Sequence, residues 1–312
     1  MHRLARAAEA AQNIWLRSAD AVTGHATALS DAKWAGSDSG NLWGQAQGGT
    51  DTRKGSGALT SPNGAAGTYD ATYRQDYFGL QLGKDLYGKT TGHSGFVLGV
   101  TGGYLSSTLH QSGDSLSFDT VNAGGYATVS AGAFFASAIA KYDHYWIKAS
   151  NLELGYRNRL QGSSWGTSAE AGFRLGSDQL FAEPVASISW TRTGLDDLQA
   201  LGNGFDFDTA SGLRGKVGLR SGALLGLASG AKALVYASGQ VVHEFDGTDG
   251  LTFTSGGASD HVLNDRLGTY GEGRLGVSLL TEGPVSAYVE GTAHVGRSYR
   301  GGGGRVGVQI RF

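Results

Sequence analysis

Apolar and polar residues alternate with a period of two along most of the chain, and most regularly at its end. In Arg305–Phe312, Val306, Val308, Ile310 and Phe312 share one face, while Arg305, Gln309 and Arg311 share the other. Earlier segments repeat the pattern. Leu213, Gly215, Val217 and Leu219 alternate with Arg214, Lys216, Gly218 and Arg220; Leu275, Val277 and Leu279 face away from Glu272, Arg274 and Ser278. Val285, Ala287, Val289, Ala293 and Val295 are set against Ser286, Tyr288, Glu290, Thr292 and His294. Successive strand side chains point to opposite sides, so each segment reads as a strand with one apolar and one polar face.

Twelve such strands are predicted, near 41–48, 72–83, 95–109, 116–129, 133–147, 163–175, 180–193, 206–220, 231–245, 266–280, 285–297 and 303–312. Soluble sheets use strands of about 5–6 residues, whereas a tilted bilayer crossing takes about 9–11. A soluble sandwich of this size would also bury more continuous apolar runs. The connections near 49–71, 110–115, 148–162, 194–205, 246–265 and 298–302 read as long and polar, and those near 130–132, 176–179 and 281–284 as short. Outer-membrane barrels have long outer loops and short periplasmic turns. The stretches 84–94 and 221–230 are longer than that rule prefers.

The first part of the chain follows a different period. Leu4, Ala8, Ala11, Trp15 and Val22 recur at helical spacing, which predicts a thin helix over about 3–23 with Gly24 as its stop. Residues 24–40 then read as a polar connection. The expected organisation is a linker with a helix in or near the pore (1–40), then a barrel (41–312). The expected fold is all-β, a single-chain twelve-stranded antiparallel transmembrane barrel with an N-terminal helix threading or plugging its lumen.

Composition narrows the choice. The 312 residues include 53 Gly, 3 Pro and no Cys, with 10% aromatic and 17% charged residues. The aromatics argue against disorder, and the absence of Cys excludes thiolate metal sites and disulfides. A net charge of −2 with no basic stripe gives no reason to expect nucleic acid. No apolar run reaches the ~18 residues of a membrane helix. No secretory signal opens the chain, as Met1-His2-Arg3 leads into an Ala-rich amphipathic stretch. The expectation is the C-terminal part of a longer precursor.

Three local motifs imitate catalytic chemistry. Gly83–Thr90 fits G-x-x-x-x-G-K-T, but a strand follows it rather than the helix whose N-terminus would hold phosphate. Gly113-Asp114-Ser115-Leu116-Ser117 resembles the GDSL esterase block, but no His has Asp three residues before it. Gly162–Gly166 fits G-x-S-x-G without a strand–turn–helix context. The eight His residues are dispersed. No enzyme activity and no cofactor or metal is expected.

The charged positions that alternation turns inward are the stronger functional set: Glu170, Arg174, Arg214, Lys216, Arg220, Glu272, Arg274, Glu290, Arg305 and Arg311. They can pair across strands, worth about 0.2–1 kcal/mol each, or hold the helix with its Arg3, Arg6 and Arg17; both readings stand. Arg6, Asn13, Trp15 and Arg17 are the helix positions expected to meet the wall. Trp146, Trp190 and Tyr142 face outward and fit the aromatic girdles of a membrane barrel.

A thin helix, a polar link and twelve strands ending on Phe312 resemble the translocator, or β-domain, of the autotransporters of type V secretion. Phe181-Ala182-Glu183-Pro184 is similar to that family's aromatic-x-Glu-Pro strand start, and Glu244-Phe245-Asp246-Gly247 to its Glu-Phe-x-Gly segment. Gly124–Ala127, Asn41–Gly44 and Gln12–Asp20 also resemble family segments. The resemblance implies an outer-membrane barrel that enables export of its own N-terminal passenger, leaving the helix in the pore. It also implies the barrel assembly machinery as a partner, reading Val306, Val308, Ile310 and Phe312. One subgroup cleaves its helix at an Asn-Asn bond; this helix offers only Asn13-Ile14, so cleavage is not carried over. A monomer surrounded by outer-membrane lipid is expected. The alternative is a porin or small-solute channel, which would usually begin on its first strand.

Overall fold

The computed structural model describes residues 2–35, 41–60, 66–91, 94–111, 114–151, 156–177, 179–200, 202–228, 230–281 and 283–311. Twelve long strands form one antiparallel sheet: β1 Leu42–Arg53, β2 Tyr73–Thr91, β3 Ser94–Gln111, β4 Asp114–Ala131, β5 Phe134–Asn151 and β6 Tyr156–Phe173, then β7 Leu180–Leu195, β8 Ala210–Gly226, β9 Lys232–Thr248, β10 Thr269–Leu280, β11 Val285–Gly296 and β12 Tyr299–Ile310. Each strand pairs with its neighbours in sequence, and the sheet closes where β1 meets β12, from Leu42 opposite Ile310 to Arg53 opposite Tyr299. Among the described residues no helix is long and apolar enough to cross a membrane; the strands have the length to do so.

Alternation explains the two surfaces. Outward side chains form an apolar band, with Phe78, Leu80 and Leu82 on β2, Phe96, Leu98 and Val100 on β3, and Leu275, Val277 and Leu279 on β10 exposed. Tyr142, Trp146 and Trp165 are exposed on the outside of β5 and β6, and the Trp165 and Trp190 rings meet edge-on at 4.6 Å. Inward positions hold Gln45, Gln75, Gln81, Thr101, Asp143, Glu272 and Glu290, all buried.

Several boundaries differ from expectation. The strands are longer than alternation suggested: within 84–94, β2 runs on to Thr91 and β3 starts at Ser94, and 221–226 belong to β8. On β2 the register shifts between Asp85 and Tyr87, a bulge that breaks the period-two signal. The connections around 110–115, 148–162 and 298–302 also shrink, because long strands consume them. Length persists in 54–72, 196–209 and 249–268, all at one end of the barrel; by the rule for such barrels that end is extracellular. There, Leu198–Ala200, Asn203–Phe207, Gly250–Ser255 and Ala258–Leu263 make a separate four-stranded sheet.

The helix is the largest correction. A 3-10 turn over His2–Arg6 leads into α1, Ala7–Trp34. At 1.5 Å per residue its 28 residues span about 42 Å, enough to run the height of the barrel. Gly24 lies within α1 rather than ending it. A side chain there would run into the Arg305 guanidinium. The lumen wall thus sets a close approach that outweighs the ~1 kcal/mol cost of a mid-helix Gly.

The band makes a quantitative prediction. Leu80→Arg should lower unfolding stability in phospholipid vesicles by about 2–4 kcal/mol, while Leu80→Phe should change it by less than 1 kcal/mol. Denaturant titration monitored by tryptophan fluorescence would measure both.

Candidate functional site: the lumen and its helix

The helix surface is polar as well as small. Ala7, Ala8, Ala10, Ala11 and Ala21 are buried, and so are Arg6, Glu9, Asn13, His25 and Asp31. Charged groups so enclosed are tolerable only when paired. Pairing occurs at three levels.

At the extracellular mouth, Glu9 is bound by Arg6 at 2.9 Å and by Arg53 of β1, and accepts a hydrogen bond from the Tyr73 hydroxyl at 2.8 Å. Arg6 and Arg53 both reach Asp265 of the 249–268 connection. The Asn264 amide donates to the Ala5 carbonyl and, at 2.8 Å, to Asp249. Above them Ala5 packs against Leu198, Phe205, Leu251 and Val262, so the small sheet covers the start of the helix.

At mid-height, Arg17 pairs with Asp51 of β1 and donates to the Tyr299 hydroxyl at 3.0 Å. His294 bridges Asp51 at 3.2 Å and Glu272 at 3.3 Å. Asp20 meets Lys216 at 3.2 Å, and Arg274 binds Glu272 at 2.6 Å. Arg305 pairs with Glu290 at 2.9 Å and donates to the Asp20 carbonyl at 2.7 Å. On the opposite wall Trp15 donates to the Lys141 carbonyl at 3.2 Å and stacks beneath the Lys141 ammonium, itself paired with Asp143. Asn13 approaches Tyr73 and Gln75 at 3.4 Å and Arg214 at 3.5 Å.

Near the periplasmic end, Asp31 receives Arg220 at two oxygens and Arg174 at 2.6 Å, and both arginines also bind Glu183. Phe181 lies 4.0 Å from the Arg174 guanidinium carbon, and Tyr236 lies 4.3 Å from that of Arg220. Nearly two turns higher, His25 stacks on Trp43 at 4.7 Å and approaches Asp85 at 3.1 Å, while Trp43 donates to Tyr126 at 2.8 Å.

The inward charges named from alternation therefore do both things at once. Arg274, Glu272, Arg305 and Glu290 pair with one another, and Arg174, Lys216, Arg220, Arg274 and Arg305 also touch the helix. Arg214 pairs with Glu244 at 3.3 Å. Glu170 lines a narrow space beside Thr23, Thr27 and Asp31, and Arg311 lines the periplasmic mouth near Lys33 and Asn41. The sequence reading weighted the helix arginines; the acids Glu9, Asp20 and Asp31 meet more wall charges. Asp31 went unnoticed because it lies beyond the expected end of the helix. Lys141 and Asp143 alternate inward within the expected strand 133–147, whereas Asp51 and Arg53 fell in the expected connection 49–71 and become inward wall residues because the first strand runs on to Arg53. The Arg3 side chain lies outside the described residues, as does Phe312.

The imitated motifs dissolve. Gly83–Thr90 lies within continuous β2, and Ser164 of the G-x-S-x-G match hydrogen-bonds Thr193 in the wall. Ser115 pairs with the Ser150 hydroxyl at 2.8 Å, and Gly113 lies outside the described residues. Among the described residues no cluster of His, Asp and Glu has the form of a metal site.

Two predictions follow from the pairs. Removing one partner of a buried ion pair costs about 3–5 kcal/mol, so Asp31→Asn should speed amide exchange in residues 27–35 by two orders of magnitude or more while barrel strands stay protected. Asp249, outside the membrane, is buried with Oδ1 unpartnered among the described residues. Burial, reinforced by Glu9, raises its carboxyl to about 7 from the usual 3.8. A raised acid favours the folded state when protonated, so its contribution is full below about 3.8 and is lost as pH rises through 7. Exchange protection of residues 4–6, corrected for intrinsic rates, should fall between pH 4 and 8, and Asp249→Asn should flatten that dependence.

A profile of the autotransporter β-domain matches residues 42–292. The pertactin autotransporter of Bordetella bronchiseptica is 30% identical over 222 residues, covering 66% of this chain and 23% of the relative; its Bordetella parapertussis counterpart matches equally. The chain thus spans about a quarter of these relatives' length. Three solved structures share the fold. The β-domain of Bordetella BrkA has a TM-score of 0.66 at 21% identity, covering 88% of this chain and 100% of that one. The transport unit of Escherichia coli AIDA-I gives 0.68 at 17%, covering 87% and 90%. The Neisseria meningitidis NalP translocator domain gives 0.61 at 19%, covering 97% and 98%. The profile match, spanning most of the chain and almost every strand of a closed twelve-stranded barrel, establishes that this chain belongs to the autotransporter family as its outer-membrane β-domain, the translocator.

Proposed function

We propose that this translocator carries a passenger joined to its N-terminal end, and that the helix stays in the lumen as a plug after export. The observation that carries the reading is the direction of the chain. The His2–Arg6 turn sits under the small sheet at the extracellular mouth, and α1 descends to Trp34 at the opposite end, where Lys33 meets Ser130 and Lys232 meets the Ala35 carbonyl. Any segment upstream of residue 2 would emerge outside. In this reading residues 1–40 are the linker, 41–312 the barrel, and the lumen charges with Arg6, Asn13, Trp15 and Arg17 are the seat of the plug.

The partners in this proposal are outer-membrane lipid around the apolar band and the barrel assembly machinery at the end of β12. Val306 and Val308 point outward there, which suits recognition from the membrane side, and Ile310 pairs with Leu42 at the seam. Phe312 completes the proposed signal. A monomer is supported by closure of the sheet within one chain. The chain acts by positioning and transport, without catalytic turnover. The porin alternative loses its support to the family assignment.

The test is surface exposure. A secretory signal and an epitope tag are placed upstream of residue 1, and protease is added to intact Gram-negative cells. The proposal expects a protease-sensitive surface tag and at least a tenfold loss of assembled barrel when Phe312 is deleted. An assembled barrel with its tag retained in the periplasm would replace export with a channel role.

A further inference from the structure

Outside the barrel, just above the apolar band on β4, β5 and β6, the register sets two rows of donors side by side. Ser117 on β4 is opposite Lys148 on β5, and Lys148 is opposite Arg159 on β6. One rung higher, Ser115 is opposite Ser150, and Ser150 is opposite Arg157. All face away from the lumen: their strand neighbours Leu116, Ile147, Ala149 and Leu160 are buried inward. Lys148, Arg157 and Arg159 are exposed.

Like charges directly opposite on neighbouring strands repel, since such positions lie about 4.5–5.5 Å apart at Cβ. Lys148 and Arg159 occupy that arrangement, with Arg157 on the same face two residues away. Asp119 offsets one charge, pairing with Lys148 at 3.0 Å while accepting from Tyr104 at 2.7 Å. Asp196, whose amide donates to the Gln161 carbonyl, is the nearest acid by register on the other side. Among the described residues neither Arg157 nor Arg159 has an ion-pair partner. Arg74, outward on β2, instead binds Asp76 at 2.9 Å.

The height of the patch identifies its ligand class. Trp146, 43% exposed, lies one outward position below Lys148. From outward Phe134 to Trp146 the strand rises about 30 Å along the membrane normal at a 35–45° tilt, which sets Trp146 near the outer interface. Arginine guanidinium groups match phosphate in bidentate geometry, and hydroxyls complete such a cradle. Basic groups at this level meet lipid headgroups. We propose that Lys148, Arg157 and Arg159, with Ser115, Ser117 and Ser150, bind the phosphorylated headgroup of an outer-leaflet lipid whose acyl chains lie along the wall below Trp146.

The full chain in detergent is titrated with bis-phosphorylated lipid A, dephosphorylated lipid A and inorganic phosphate, and bound lipid is read by native mass spectrometry. Phosphorylated lipid A should bind, and Arg157→Gln/Arg159→Gln should weaken it at least tenfold. Arg157→Lys/Arg159→Lys, which keeps the charge but loses the bidentate fork, should bind more weakly than the parent and more tightly than the Gln double variant, and Lys89→Gln at the opposite rim should change nothing. Heat-modifiable gel mobility shows that each variant remains a folded barrel. Equal binding by the Gln double variant, or by dephosphorylated lipid A, would overturn the proposal. Displacement of lipid A by equimolar inorganic phosphate would reassign the patch to a free anion and overturn the lipid ligand.

Discussion

Everything in this molecule depends on closure of the β1–β12 seam. A bilayer core offers no hydrogen-bond partner to an exposed sheet edge, and each unsatisfied backbone group there costs several kcal/mol. Pairing from Leu42–Ile310 to Arg53–Tyr299 removes both edges. Closure also divides the side chains by parity into a lipid face and a lumen face. The second face is therefore obliged to be polar or small, and the contents of the lumen must suit it.

A helix inside such a lumen faces the reverse of the usual problem. It needs no broad apolar stripe; it needs a slender backbone and charges that find partners all around. Ala7, Ala8, Ala10 and Ala11 supply the slenderness, and Gly24 lets Arg305 lie against the helix. Glu9, Arg17, Asp20 and Asp31 distribute charge along its length, each answered by the wall at its own height. A buried pair contributes little net stability but is costly to break. The arrangement therefore fixes where the helix sits more than it stabilises the barrel, whose backbone ladder already does that.

What could be read from the sequence follows the same division. The strands β8, β10, β11 and β12 were legible because one face meets lipid and the other meets charge, the strongest form of a period-two pattern. The ends of β2 and β8 were less so, since the bulge at Asp85–Tyr87 inverts the phase and the last turns stand beyond the membrane. The end of α1 was misjudged because Gly24 carries a helix-stop propensity that local sequence alone cannot overrule; the reason for it is Arg305, 281 positions later. Inward charges were assigned by parity, but their partners were not, as Asp31–Arg220 and Arg17–Asp51 depend on the rotation and depth of the helix. Trp43 and Tyr126 fall in family-like segments, but their meeting with His25 and Asp85 was not legible, for the cluster joins four elements far apart in the chain.

The central claim is that the barrel closes around a helix that fills its lumen. Its most direct test is planar-bilayer conductance of the full chain beside one lacking residues 1–35, with strand content verified in each. The account predicts a nearly closed pore for the full chain and at least a tenfold larger, stable conductance for the shortened one. Equal conductance in the two would place the helix outside the lumen and contradict the account.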